Sequence, residues 1–153
     1  MAESSTHAER LRTADLRVTK PRLAVLTAVD GNPHADTETV FDAVRSELPS
    51  VSRQAVYDVL HALTVARLIR RIQPSGSVAR YESRVGDNHH HAVCRSCATI
   101  VDVDCAVGEA PCLDAVDDNG FAIDEAEVIY WGLCPQCAGT STIGDSPQDV
   151  VSP

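Results

Sequence analysis

Along the first 65 residues, apolar positions recur at intervals of three and four, the period of a helix buried on one face. Residues 9–15 form a short first segment. In "LRVTKPRLAVLTAVDG", Leu23, Leu26 and Val29 mark the faces of a helix. Thr19 can cap it, Pro21 sits in the first turn where its missing N–H costs little, and Gly31 stops it. "HADTETVFDAVRSELP" predicts the next helix, capped by Asp36, striped by Val40, Phe41, Val44 and Leu48, and ended by Pro49. "SVSRQAVYDVLHALTVARLI" predicts another, with Ser52 as cap and Val56, Val59, Leu60 and Leu63 facing inward. Arg53, Gln54, Tyr57, Asp58 and His61 are left mostly on its other side.

Beyond residue 68 the pattern shortens. "LIRRIQ", "PSGS" and "VARYES" read as strand, turn and strand. Helices followed by a hairpin predict a winged helix-turn-helix, an arrangement that docks on DNA; a small helical domain with no nucleic-acid role is the plainer alternative. "RVGDN" (84–88) is the expected hinge. Short strands follow in "HHHAVC", "TIVDVD" and "FAIDEAEVIYWGLC", with a weak helix over 110–119. The expected class is α+β. The divisions are a winged-helix domain over 1–83, the hinge, a metal-binding domain over 89–137 with a three-stranded sheet, and a polar, disordered tail over 138–153.

Composition sharpens this reading. Hydrophobic residues make up 44% but aromatics only 4%, so two small aliphatic cores would gain from extra cross-links. No run approaches a membrane span, and the polar start "MAESSTHAER" is not a secretory signal, so a cytoplasmic protein is expected. There, six cysteines point to metal ligands or redox thiols rather than disulfides. The net charge of −9 argues against nucleic acid until its distribution is read. Residues 1–84 hold 12 Lys and Arg against 10 Asp and Glu, whereas residues 85–153 hold one against 12. The halves differ in sign and therefore in expected partners.

The ligands sort by geometry. Cys94-Arg-Ser-Cys97 and Cys134-Pro-Gln-Cys137 are two CxxC pairs with 36 residues between them, and together they offer four thiolates to a tetrahedral zinc. Four redox thiols are the alternative, but no βαβ unit of the thioredoxin kind surrounds either pair. On a strand, side chains alternate, so His89 and His91 share a face while His90 and Cys94 take the other. The stretch therefore serves two sites. His89 and His91 offer imidazoles to a second metal, which Asp102, Glu82 and His34 can reach. Nitrogen and carboxylate ligands suit exchangeable iron, manganese or zinc. Taken singly, His34, Glu82 and Asp102 read more simply as surface groups. Cys105 and Cys112 read as small buried residues. A zinc deaminase would need a proline directly before one cysteine pair, and neither pair has it.

"HADTETVF", "VSRQAVYDVLHAL", "ARYE", "GDNHHHAVCRSC" and "DEAEVIYWGLCPQC", in that order across residues 8–137, resemble the ferric uptake regulator superfamily, and within it the actinobacterial FurA-like branch. The resemblance implies a homodimeric, metal-dependent repressor that is not an enzyme, with a C-terminal α/β dimerisation domain. It implies structural zinc at Cys94, Cys97, Cys134 and Cys137, and ferrous iron or manganese at His34, Glu82, His89, His91 and Asp102. It also implies an A/T-rich double-stranded operator met by Tyr57 in the recognition helix and by Arg17 in the minor groove, with Arg53 and Gln54 beside them. Asp58 departs from the pattern, standing where many members have an arginine that contacts phosphate. Asn88 and Ala126 replace histidines of a third site found in some members. Asp102 is the choice of peroxide-sensing members, while iron-sensing ones usually have Glu. The branch implies control of a catalase-peroxidase gene and of its own gene, through oxidation of His34 or His89 or, in a competing route, of the thiols. Sensing of iron level to repress iron uptake genes is the alternative.

Overall fold

A computed structural model of the chain describes residues 2–105, 115–124 and 126–140, and divides them into two compact units at residues 87 and 88. In the first unit the apolar stripes become one core. Helices α1 (Ala2–Thr13), α2 (Lys20–Gly31), α3 (Thr37–Glu47) and α4 (Arg53–Val65) close around Leu11, Val25, Leu26, Val40, Phe41, Val56, Leu60 and Leu63, all buried. The helix starts are set by the expected caps. Thr19 accepts from the Arg22 N–H, Asp36 from Thr39 and Ser52 from Ala55.

Three differences from the sequence reading have physical causes. The first helix begins at Ala2, not residue 9. Its early turns have no apolar stripe. Polar contacts tie it down instead: His7 Nε2 to Asp30 Oδ2 at 2.6 Å, and Arg10 Nη2 to the Leu68 carbonyl at 2.8 Å. Gly31 is the last residue of α2 rather than its stop. Asn32 ends the helix, its Nδ2 donating to the Ala28 carbonyl at 2.8 Å, and Pro33 follows. The wing is also a three-stranded sheet, not a hairpin. Strand β1 (Ala35–Asp36) pairs antiparallel with β3 (Arg80–Glu82), whose other edge holds β2 (Arg70–Ile72). A two-residue strand carries no periodicity to read.

In the second unit, β4 (His89–Cys94) is central. It pairs antiparallel with β5 (Ile100–Asp104) and parallel with β6 (Ile129–Gly132), in the order β5-β4-β6. The long last strand expected over 121–134 is thus only four residues; 121–124 and 126–128 have no regular structure. The expected helix over 110–119 lies partly outside the described residues, as does Cys112. Its described part is a turn, in which Asp117 and Asp118 carboxylates accept from the N–H groups of Asn119 and Gly120. A last helix, α5 (Pro135–Thr140), runs three residues into the segment expected as tail. Residues 141–153 lie outside the described residues. No helix among the described residues is long and apolar enough to cross a membrane.

Candidate metal centres and nucleic-acid interface

The tight turn after β4 folds Cys97 back under Cys94. Ala98 N–H donates to the Cys94 carbonyl at 3.0 Å and takes a left-handed φ of 59°, and Cys94 N–H donates to Thr99 at 2.9 Å. The second pair arrives on β6, which pairs with β4 as far as Cys94 and Gly132. Arg95 N–H donates to the Gly132 carbonyl at 2.8 Å. Cys134 and Cys137 then straddle the start of α5, where Ala138 N–H donates to the Cys134 carbonyl.

The four sulfurs lie within 4.8 Å of one another, and Cys97 and Cys134 Sγ are 3.7 Å apart. A disulfide would bring two sulfurs to about 2.05 Å. Zinc–sulfur bonds of about 2.3 Å in a tetrahedron put them about 3.8 Å apart. The spacing therefore fits a metal. Local groups favour thiolate. The backbone N–H of Cys134, 3.3 Å from Cys94 Sγ, and then those of Cys97 and Ser96, draw the Cys94 thiol down to about 6. The Thr99 hydroxyl, 3.1 Å away, and its N–H lower Cys97. At Cys137 the Ser96 hydroxyl pulls down, but the thiols of Cys134 and Cys97, burial and Cys94 push it up to about 12. Four neighbouring thiols ionise together only with a cation among them. Thr99 and Ser96 were missed by the sequence reading; a hydroxyl within two residues of a CxxC pair is the signal for them.

The histidines alternate as expected. Across β4 and β5, His91 is the register partner of Asp102. His89 Nε2 and His91 Nε2 converge on one oxygen, Asp102 Oδ1, at 3.9 and 3.7 Å, and the rings meet edge to face at 4.9 Å between centroids. Those nitrogen–oxygen separations exceed a hydrogen bond but suit donors around a cation at about 2.1 Å from each. His90, on the opposite face, packs against Tyr130 at 6.4 Å. All three histidines are buried.

The other two expected ligands belong to the first unit. Ala35 pairs with Tyr81 and Asp36 with Arg80, so His34 and Glu82 stand opposite each other one step beyond the ladder. His34 Nε2 lies 3.1 Å from Glu82 Oε2. Glu82 is 1% exposed, and His34 takes a left-handed φ of 61°. Strain of that kind gathers at functional sites. Cys105 is half-buried just past the end of β5.

On α4, Arg53, Gln54, Tyr57, Asp58 and His61 are exposed, as the stripe required. Tyr57 and His61 line a cleft with Arg71 and Gln73 of the wing. Gln54 Nε2 donates to Asp58 Oδ1 at 2.8 Å. Arg53 pairs with Glu38 of α3 and lies 4.5 Å over the Phe41 ring. Arg17 is exposed in the loop before α2, where its carbonyl accepts from Arg22 at 2.7 Å.

The model of the "Ferric uptake regulator family" matches residues 13–131. "Transcriptional regulator FurA" of Mycobacterium tuberculosis is 73% identical over 147 residues, covering 96% of this chain and 100% of that protein. The Helicobacter pylori ferric uptake regulator Fur, solved with three functional metal binding sites, superposes with a TM-score of 0.68 at 21% identity, over 88% of this chain and 93% of that one. The Pseudomonas aeruginosa ferric uptake regulator, solved with manganese, has a TM-score of 0.63 at 25% identity, over 84% and 98%.

Proposed function

Because this chain belongs to the ferric uptake regulator family, we propose that it is a metal-dependent, DNA-binding transcriptional repressor acting as a cytoplasmic homodimer. The observation that carries the reading is the division of ligands along β4. Imidazoles of His89 and His91 converge with Asp102 at one end, and Cys94 opens a four-sulfur cluster at the other.

Cys94, Cys97, Cys134 and Cys137 hold structural zinc, whose chemistry here is to neutralise and cross-link four thiolates. His89, His91 and Asp102, joined by His34 and Glu82, hold ferrous iron or manganese; these nitrogen and carboxylate donors bind such ions reversibly. Only six residues separate Glu82 from His89, about 25 Å of chain at full stretch, so ligands from both units are within reach of one cation. Holding all five together fixes the angle between the two heads of a dimer. Metal-free protein leaves that angle unset. Val101, Phe121, Ile123, Trp131 and Leu133 are exposed on and around a sheet whose outer strands have no further strand partner among the described residues, and this surface supports pairing with a second copy.

Each winged helix presents Tyr57 and Gln54 to an A/T-rich operator, with Arg17 in its narrow minor groove. Arg53 reaches phosphate by exchanging its exposed Glu38 partner, a pairing of little net worth in water. The signal is peroxide, received at His34 or His89, and the regulated genes are a catalase-peroxidase gene and the protein's own.

The test is manganese titration of the dimer on an A/T-rich duplex by fluorescence anisotropy. His89→Ala should keep its zinc and fold yet lose metal-dependent binding. A variant that responds normally to manganese overturns the two-site reading. Mass spectrometry of the iron-loaded dimer after peroxide should find added oxygen on His34 or His89; paired cysteines instead would move the sensor to the thiols.

A further inference from the structure

One carboxylate does not fit a face built to meet a polyanion. Asp58 lies on the exposed stripe of α4 with Gln54 four residues before it, His61 three residues after it and Tyr57 beside it. Set beside phosphates, its charge costs affinity. Set against a base edge, the same group accepts a charge-assisted hydrogen bond.

The Gln54–Asp58 contact decides what this stripe can read. An ionised carboxylate accepts only, so the Gln54 amide must turn its NH2 end to Asp58. The 2.8 Å bond from Nε2 to Oδ1 shows that arrangement. The amide is thereby oriented, and its oxygen joins the carboxylate in making an acceptor-rich patch one turn wide beside Tyr57, itself 48% exposed. Acceptors pair with donors. In the major groove the base-edge donors are the exocyclic amino groups of cytosine (N4) and adenine (N6), while guanine and thymine show no donor there.

We infer that Asp58, oriented with Gln54, is a specificity-determining residue that reads a cytosine or adenine amino group in the operator and rejects guanine and thymine at that position. This rests on the proposed repressor function. It differs from a simple electrostatic burden in its consequences. If Asp58 merely repels phosphate, removing it strengthens binding to every duplex alike. If it reads a base, removing it strengthens non-specific binding while erasing a preference.

The experiment selects sites from a random duplex library with the full-length, zinc- and manganese-loaded dimer, then titrates the selected site and its single-base variants at two salt concentrations. Wild type should disfavour guanine and thymine at one position of each half-site by about tenfold or more. Asp58→Ala should level that position, leave the others intact and bind random duplex more tightly. Gln54→Ala should weaken the same preference. Unchanged base preferences in Asp58→Ala, with uniformly tighter binding, overturn the inference and leave the repressor standing. A wild-type dimer that selects no duplex defeats the repressor reading and this inference with it.

Discussion

The two units fold on different principles. Unit one, residues 1–87, carries an apolar cluster of 15 buried residues drawn from every helix and the wing. Unit two, residues 88–153, offers Val93 and Cys94 as its buried apolar residues among those described, alongside three buried histidines. So little apolar interior among its described residues gives this unit little to stand on by burial alone. It has four converging sulfurs where unit one has leucine and valine. The difference teaches what each half has to hold it: water-excluded hydrocarbon in one and, where the four sulfurs bind a metal, metal–thiolate bonds in the other.

The largest effect should come from breaking the sulfur cluster. Cys97→Ser removes one of four ligands, and structural zinc sites contribute on the order of 10 kcal/mol to the folds they hold. The zinc-to-protein ratio should fall to near zero, and proteolysis should cut freely after residue 88 while residues 1–87 resist. A zinc-free variant whose second half still resists protease would break the comparison. The reciprocal change is Leu60→Ala, which empties the centre of the first core. Its cost should be about 2–5 kcal/mol, seen as a lower midpoint in urea followed by helical circular dichroism, with zinc content unchanged. Loss of zinc in that variant would mean that the halves do not stand separately.

A smaller effect tests how the first unit's stability responds to acid. Asp36 caps α3 through the N–H and hydroxyl of Thr39, both at 2.8 Å. The Thr39 N–H, then its hydroxyl, hold the Asp36 carboxyl below its ordinary 3.8. A lowered folded pKa means that the cap stabilises fully above the unfolded value and is lost as pH falls through the folded one. Asp36→Ala should therefore cost about 1 kcal/mol at pH 7, and the gap to wild type should close as pH falls below the ordinary 3.8 and through the lowered folded value. A gap constant through that range would assign the cost to something other than the ionised cap.

Much of this was legible before any coordinates. The helices α2 to α4 were readable because burial imposes their period and short polar side chains cap their ends. The sulfur cluster and the sharing of one face by His89 and His91 followed from CxxC spacing and strand alternation. What escaped was whatever local pattern does not encode. Strand β1 is two residues held by partners 44 and 46 positions away, and that pairing sets His34 opposite Glu82. β6 lies parallel to β4 across a long connection, and its brevity cannot be seen in a run of β-formers. The Gln54–Asp58 bond was hidden in a stripe read only as polar.

The smallest effect concerns two residues that share one strained conformation, one in each unit. His34 has φ 61° and Ala98 has φ 59°. His34 has a side-chain reason to be there, since its imidazole meets Glu82 from that place at 3.1 Å. Ala98 has none: it is exposed, and its turn is closed by backbone bonds alone. A left-handed alanine costs roughly 1–2 kcal/mol, while glycine restores about 0.4–1 kcal/mol of entropy to the unfolded chain. Ala98→Gly should therefore raise the melting midpoint of zinc-loaded protein slightly, by the equivalent of about 0.5 kcal/mol, and leave the first unit's urea midpoint unmoved. The direction is what matters, because it tells whether the backbone bonds that close the turn between Cys94 and Cys97 suffice without a side chain at its apex. A lowered midpoint would show that the alanine methyl supports the turn, and that the second unit leans on side-chain packing more than its sparse interior suggests.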